Sequence, residues 1–315
     1  MVNQSTDSLV KYCDATTAEK VLTSQALRWS APHLFSDPFE LSYNSQLNFT
    51  QDDLLKATVR QAVNLIFSAE TPMGNTPMLQ AIRRWRSEDR FHTPEEAEQV
   101  LHGLLEQMVI SRQAQIDQLM DAWRNYARRL RICSFFAKPD NLEAWQFFAD
   151  NHRGVALRFR CGDDSSFTNP RKVTYQDTRP EITRLKDQLD AIVRSTSVNP
   201  AAEFANKFLT KPKAFAGQKE WRCLKLASEK QLHSHGSEEE YFSDVRFVGQ
   251  DLVAIYFGVN TPESVQQSLA KLAKAANPKV RIFVGHQHGY NFELEFERLN
   301  PPAAQGLNET SQATL

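Results

Sequence analysis

The sequence predicts an α+β fold in which a mixed or antiparallel central sheet carries a helical insertion. Alternating apolar and polar residues, the pattern of half-buried strands, recur along the whole chain and do not alternate regularly with helices. Between about residues 50 and 130 the apolar residues recur instead at helical spacing. We therefore expect a single α+β domain over residues 1–299, with a helical block at about 50–130.

The N-terminal segment is interpreted as strand, helix and strand. Residues 10–13 form the first strand, and Thr16 with Glu19 provides the capping box expected where the following helix begins. Residues 26–30 alternate in polarity and form the second strand, which stops before Pro32.

The later elements are assigned in the same way. Thr93 is expected to cap a long helix, with Pro94 at its first position and Glu96 closing a capping box. Strands are expected at residues 131–136, 155–159, 173–175, 219–226, 245–257, 279–285 and 292–297. Helices are expected near residues 140–150, 181–194 and 200–209, and from residue 261. Asp140 is expected to cap the first of these, and residues 300–315 are predicted to be a disordered tail.

Composition limits the classes of function. The formal net charge is −1, so the chain as a whole lacks the electrostatic footprint of a nucleic-acid-binding protein. No stretch approaches the roughly 20 apolar residues of a membrane helix, and residues 1–9 lack the apolar core of a signal peptide. The four cysteines lie far apart without a C-x-x-C pair, so no cysteine zinc site is expected. We expect a cytoplasmic protein with reduced thiols and no membrane partner.

The segment around Glu220 is the strongest candidate for chemistry. Gln218, Glu220 and Arg222 are two residues apart, so in a strand they point to one side, while Trp221 and Cys223 point to the other. A Gln-x-Glu pair on one face can hold a sugar hydroxyl and orient a nucleophile. The alternative is that Glu220 and Arg222 form a cross-strand ion pair on a solvated face.

The two N-terminal strands carry a second group of candidates. Lys11 and Tyr12 are adjacent, so they cannot both face one side of a strand. Ser30 ends the second strand and leads into a segment, residues 31–40, in which polar residues lie beside aromatic ones. The alternative for this segment is an ordinary turn at Asp37, anchored by the phenylalanines on either side.

A third candidate is His152, which follows a helix that carries Trp145 and precedes Gly154. A histidine at a helix C-terminus is also favoured by the helix dipole, so a structural role stays open. The pairs His233/His235 and His286/His288 have the spacing of some metal ligands, but no third ligand is evident, and no metal is expected. The glycines form neither a phosphate-binding loop nor a dinucleotide fingerprint.

Taken in order, these segments resemble the bacterial family catalogued as domain-of-unknown-function family 2971. Its pattern has an N-terminal K-Y, then S-x-P-x-x-F-x-D-P-F with an acidic residue, then a W-x-x-Y/F-A-x-x-H-x-G segment. A K-P or K-S segment and E-x-E-aromatic-R follow. The corresponding segments of this chain are residues 11–12, 30–40, 145–155, 211–212 and 218–222. Two positions depart from the pattern, because Gln218 replaces its first glutamate and Phe215 is the aromatic residue before it. The helical block is also longer than the pattern leads one to expect.

The layout of this family is similar to that of ADP-ribosyltransferases of the DNA-modifying toxin type, which is a likeness of fold. The resemblance implies that Glu220 binds the nicotinamide ribose of NAD and stabilises an oxocarbenium-like transition state. It implies that Gln218 orients the acceptor. The residues that it places around NAD are Lys11, Tyr12, Ser30, Asp37 and His152.

The expected function is therefore an NAD-dependent ADP-ribosyltransferase, or an NAD glycohydrolase on the same scaffold, in the role of a toxin or phage-defence effector. One alternative is a non-enzymatic module that binds a nucleotide or a partner. A nuclease-like effector is the weakest, because no carboxylate cluster has the spacing for two metals. Convergence of Lys11, Ser30, His152 and Glu220 on one cleft would favour the enzyme. The sequence identifies neither the acceptor, protein or nucleic acid, nor the oligomeric state.

Overall fold

The computed structural model describes residues 7–196, 199–233, 236 and 238–299, and the expected tail at 300–315 lies outside them. The predicted α+β class is confirmed, with a central ten-stranded sheet that is mostly antiparallel. The strands are β1 (Ser8–Cys13), β2 (Ala26–Ser30), β3 (Leu130–Phe136), β4 (Val155–Arg160), β5 (Arg171–Lys172), β6 (Thr174–Gln176), β7 (Thr210–Pro212), β8 (Glu220–Leu226), β9 (Phe242–Arg246), β10 (Leu252–Phe257), β11 (Arg281–Gln287) and β12 (Leu294–Arg298).

Helices fill the intervals between the strands. They are α1 (Ala15–Ser24), α2 (Gln51–Phe67), α3 (Pro77–Ser87), α4 (Pro94–Arg129), α5 (Leu142–Phe148), α6 (Leu185–Arg194), α7 (Phe204–Lys207), α8 (Glu229–Leu232) and α9 (Glu263–Ala276). Helices α2, α3 and α4 occupy the segment in which the sequence predicts helices, and together with α6 they build one apolar cluster. None of the described helices combines the length and apolar character that crossing a bilayer requires.

Two of the predicted helix caps are wrong and one is right. Asp14, not Thr16, caps α1, because its carboxylate accepts a hydrogen bond from the backbone N–H of Thr17. Asn141, not Asp140, caps α5. Thr93 caps α4 as expected by accepting from the N–H of Glu96, but the predicted capping box is wrong, because the Glu96 carboxylate accepts from the N–H of His92 and not from that of Thr93.

The sheet is split beside β3. Strand β8 pairs along one edge of β3 from end to end. The other edge is shared, because β1 pairs there at Phe136 and β2 pairs nearer the beginning of β3, at Ile132. Between these two positions lies Ser134, whose carbonyl oxygen accepts a hydrogen bond from Lys11 Nζ at 3.0 Å. The lysine thus fills the gap where β1 and β2 diverge.

The two faces of the sheet pack against different groups. On one face Leu9 and Trp221 join an apolar cluster that includes α1 and α9. On the other face Phe136 packs near α5, and Ile132 packs against the helical block. Glu220 is the β8 partner of Phe136, so it lies on this second face, between two apolar clusters.

Candidate functional site

Glu220 is the first residue of β8, and its side chain is buried with 3% exposure. Gln218 is not on the strand as predicted. It ends the 3-10 helix Lys213–Gln218, and Lys219, with a left-handed backbone at φ 49°, separates it from β8. The predicted core side of the strand is confirmed, since Trp221 and Cys223 are both buried in the apolar cluster.

A lysine brings Gln218 and Glu220 together in spite of this break. Lys211 Nζ donates to Gln218 Oε1 at 2.8 Å and to Glu220 Oε2 at 3.0 Å. Its ammonium group also lies 5.1 Å from the centre of the Phe215 ring, a cation–π distance. Lys211 therefore occupies the place between the two side chains at which a ligand would have to bind.

Arg222 joins the network to a residue far away in the sequence. Its Nε donates to Glu220 Oε1 at 2.8 Å, and its two terminal nitrogens each donate to one oxygen of Glu40 at 2.8 Å. A further bond of 2.6 Å reaches the carbonyl of Phe208. The ion pair of Glu220 with Arg222 that the alternative expects is therefore present, but it lies within one strand and is buried, with the side chain of Arg222 1% exposed, so the cross-strand placement on a solvated face is wrong.

Two carboxylates and two cations make this buried network neutral, which offsets part of the cost of removing charges from water. Burial alone would raise the pKa of Glu220, but Arg222 and Lys211 outweigh it and lower that pKa to about 2. Burial would likewise lower the pKa of Arg222, whereas Glu220 and Glu40 raise it. Glu220 is therefore ionised at neutral pH.

The depressed pKa of Glu220 predicts a specific acid sensitivity. The stabilisation is complete above the ordinary value of 4.5 and is lost as the pH falls through about 2. The free energy of unfolding should fall by about 3 kcal/mol over this window because of Glu220. Urea titrations at several pH values check this. The reference is the double variant Glu220→Gln/Lys211→Met, which lacks this ion pair and leaves the network neutral. The prediction would be contradicted if the free energy of unfolding changed with pH by the same amount in the wild type and in the double variant.

Residues from two strands, β6 and β7, cover the network. The N–H of Glu220 donates to the hydroxyl of Tyr175 on β6, and β6 pairs with β7, which carries Lys211. Beside Lys211 lies a cavity of about 180 Å³, lined also by Phe39 and Arg179. The cavity reaches the lysine and does not include Glu220.

Lys11 and Tyr12 lie on opposite faces of β1. Lys11 pairs with Leu157 on the face opposite to Glu220, and it meets the network only through the backbone of Ser134. Tyr12 lies on the face of Glu220, where its hydroxyl donates to the carbonyl of Lys138 at 2.7 Å. Burial raises the pKa of this phenol well above its ordinary range.

Ser30 lies on the sheet, whereas Asp37 lies in a turn after β2. Ser30 ends β2, paired with Ile132, on the same face as Glu220 but farther along β3. Asp37 Oδ1 accepts a hydrogen bond from the N–H of Phe39 at 2.9 Å, as expected for the ordinary turn that is the alternative for this segment. This turn leads into Glu40 and so positions the second carboxylate of the network.

His152 lies in a different cavity. It ends a run of three left-handed residues, in which Asp150, Asn151 and His152 have φ of 45°, 50° and 67°. Its ring stacks on Trp145, and the cavity that it lines, about 440 Å³ in volume, includes neither Lys11 nor Glu220. The expected convergence of the four residues on one cleft is therefore not observed.

The histidines of the pair His286/His288 each lie near a glutamate. His286 lies 3.5 Å from Glu297 and His288 lies 3.6 Å from Glu295, across β11 and β12. Among the described residues, no three histidine, cysteine or acidic side chains are placed to hold a metal ion. His235 lies outside the described residues.

The sequence did not identify Glu40, Tyr175 and Lys211 as site residues. Glu40 and Arg222 are 182 positions apart, and no local pattern links them. Comparison with known proteins adds no assignment, since no family model, curated protein or solved structure matches the chain.

Proposed function

We propose that the protein consumes NAD, as an ADP-ribosyltransferase-like enzyme or as an NAD glycohydrolase, with Glu220 as its catalytic carboxylate. The observation that carries the proposal is that Glu220 and Gln218 meet at Lys211 beside a cavity. This pairing suits the Gln-x-Glu chemistry that the resemblance implies. NAD is the substrate, and the proposal requires no metal.

The chemistry rests on an ionised carboxylate in a dry, charge-compensated setting. As nicotinamide leaves, positive charge grows on the ribose, and a fixed carboxylate close to it lowers the barrier. Arg222 and Glu40 hold Glu220 in place, because Arg222 bonds both of them. Gln218 would orient the acceptor, or water in a glycohydrolase.

The proposal requires a movement of Lys211. The side chain of Glu220 is 4% exposed, and Lys211 lies between its carboxylate and the cavity, so a ribose hydroxyl can reach Glu220 only where Lys211 withdraws. The side chain of Lys211 is 10% exposed and borders the cavity that Phe39 also lines. That cavity is the route by which we expect the nicotinamide end of NAD to enter.

Tyr12 and Ser30 remain candidate NAD contacts because they share the face of Glu220. Lys11 lies on the opposite face, and His152 lies in another cavity, so the proposal assigns neither a direct contact with NAD. A cytoplasmic location belongs to the proposal, since NAD is abundant there and the four cysteines are free and buried.

The second candidate is a binding module without catalysis, for a nucleotide or a partner. Two observations favour it. Lys11, Ser30, His152 and Glu220 do not converge on one cleft, and the 3% exposure of Glu220 lets no ligand touch the carboxylate without rearrangement. A buried, neutral ion network is also an ordinary way to fix a fold.

Labelled NAD separates the two candidates. The purified chain is incubated with NAD that carries one label on nicotinamide and another on adenine. An enzyme releases nicotinamide, and a transferase also moves the adenine label to protein or nucleic acid in a lysate. Calorimetric binding of NAD without nicotinamide release supports the module, and the absence of both binding and release contradicts the NAD proposal.

A further inference from the structure

The loop between β11 and β12 exposes two aromatic rings almost completely. Tyr290 is 99% exposed and Phe292 is 100% exposed. The loop nevertheless has a defined shape, because His288 Nδ1 accepts from the N–H groups of Tyr290 and Asn291 at 3.1 and 3.0 Å. The N–H of His288 also donates to the carbonyl of Glu293 at 3.0 Å. The loop is thus ordered by its own hydrogen bonds. The Tyr290 ring makes an edge contact with the His288 ring at 6.4 Å, yet both loop rings stay almost fully exposed.

These rings border the cavity of about 440 Å³ that His152 lines. His152 and Phe296 both stack with Trp145, at ring-centre distances of 6.0 and 6.3 Å. The left-handed run that ends at His152 costs conformational energy, of the order of 1 kcal/mol or more for each residue. Such a cost is typical of side chains that a binding site holds in a fixed position.

The charges at this cavity favour a cationic ligand. Its titratable side chains are His152, His288, Tyr290 and Glu293, and no lysine or arginine lines it. Burial lowers the pKa of His152, so this ring is neutral at pH 7. Aromatic rings beside a carboxylate are the usual receptor for a lysine or arginine side chain.

Strand β12 provides an extended template next to the cavity. It ends the strand order of the sheet, with β11 as its strand partner among the described residues. Glu295 and Glu297 alternate along it with Leu294 and Phe296, and both glutamates are exposed. In a peptide that pairs with such an edge, every second side chain lies on the same face of the sheet as the two glutamates.

We propose that this edge binds an extended basic segment of another protein, which adds a strand to β12. Lysine or arginine side chains of the segment would pair with Glu295 and Glu297. One more, from the alternate side chains of the segment on the face of Leu294 and Phe296, would enter the cavity between His152, the two exposed rings and Glu293. The surface comprising β12 and residues 288–293 is called the hairpin surface below. This inference is independent of the NAD proposal, because the hairpin surface contains none of the residues of the buried network.

Two other occupants fit the hairpin surface less well. Single-stranded nucleic acid could stack on Tyr290 and Phe292, but the glutamates would repel its phosphates. A second copy pairing through β12 would bring two rows of glutamates together, which is unfavourable. Glutamates on an edge can also serve simply to prevent such pairing.

The test uses the full chain and a labelled eight-residue peptide of alternating lysine and valine in which one central valine is also replaced by lysine, so that both faces carry a basic side chain. Fluorescence anisotropy is the readout. The matched peptide carries glutamate in place of lysine. We expect the lysine peptide to bind at least tenfold more tightly, and its affinity to fall with added salt. Tyr290→Ala/Phe292→Ala and Glu295→Gln/Glu297→Gln should each weaken binding about tenfold or more.

Met73→Ala and Glu98→Gln serve as controls, since both residues are exposed and lie away from the hairpin surface. Their affinities should equal that of the wild type. Equal binding of the two peptides, tighter binding of a thymidine oligonucleotide, or no loss in the hairpin variants would overturn the inference. The inference would also be overturned if the Glu295→Gln/Glu297→Gln variant self-associated while the wild-type chain bound no lysine peptide. The glutamates would then serve only to prevent pairing at the edge.

Discussion

Replacing Arg222 with methionine is expected to destabilise the protein by about 3 to 5 kcal/mol, because two buried carboxylates then lose their common partner. Arg222 donates to Glu220 and to both oxygens of Glu40, and its side chain is 1% exposed. Methionine fills much of the same volume without a charge, so the loss reflects electrostatics and hydrogen bonding more than packing. Urea unfolding followed by tryptophan fluorescence measures the change.

Arg84→Met is the matched control for this experiment. Arg84 forms an ion pair with Glu88 on a helix surface, and its side chain is 76% exposed. Exposed pairs contribute little, so this variant should lose less than about 1 kcal/mol. Adding Glu40→Gln to Arg222→Met should recover part of the stability, because Glu220 keeps Lys211 as a partner and the added substitution removes the carboxylate that has lost its cation. A loss no greater than that of Arg84→Met would show that the network does not hold the fold together.

Replacing Glu220 with glutamine is expected to lower NAD turnover by about 10² to 10³, the typical loss when one transition-state contact is removed. The substitution keeps the shape of the side chain. The network then has two cations, Lys211 and Arg222, and one carboxylate, Glu40. Because Glu220 is 3% exposed, a loss of stability accompanies the substitution, and turnover alone would be ambiguous.

The double variant Glu220→Gln/Lys211→Met removes this ambiguity. It deletes one charge of each sign, so the remaining pair of Arg222 and Glu40 is neutral. Its unfolding free energy should lie closer to that of the wild type than the single variant's does. Turnover should stay as low as in Glu220→Gln, since the carboxylate is still missing. Glu98→Gln, an exposed substitution on α4, should preserve both properties.

Local patterns predicted most elements well and their partners poorly. The single strand expected at residues 245–257 is wrong, because residues 247–251 separate β9 from β10 and include a 3-10 turn. Alternation on β8 placed Trp221 and Cys223 in the core, because a buried strand shows its pattern over a few residues. Gln218 was predicted on the strand, but the left-handed backbone at Lys219 separates it from β8. Glycine is the usual sequence signal for that conformation, and a lysine at this position gives no such signal.

Long-range geometry explains the other differences. Adjacent side chains alternate between faces, so Lys11 and Tyr12 had to diverge, but only the strand order shows which of them shares the face of Glu220. The pairing of Glu40 with Arg222 depends on how the turn after Asp37 meets β8, across 182 positions of sequence. Whether Glu220 is solvated or buried depends on the cover provided by β6 and β7, which no local pattern indicates.

Nicotinamide release from NAD by the wild type and by Glu220→Gln/Lys211→Met, each at matched folded fraction, tests the central claim most directly. The account predicts steady release by the wild type and a rate about 10² to 10³ lower for the double variant. Equal rates in the two proteins, or release by neither while NAD binds, would contradict the assignment of Glu220 as a catalytic carboxylate.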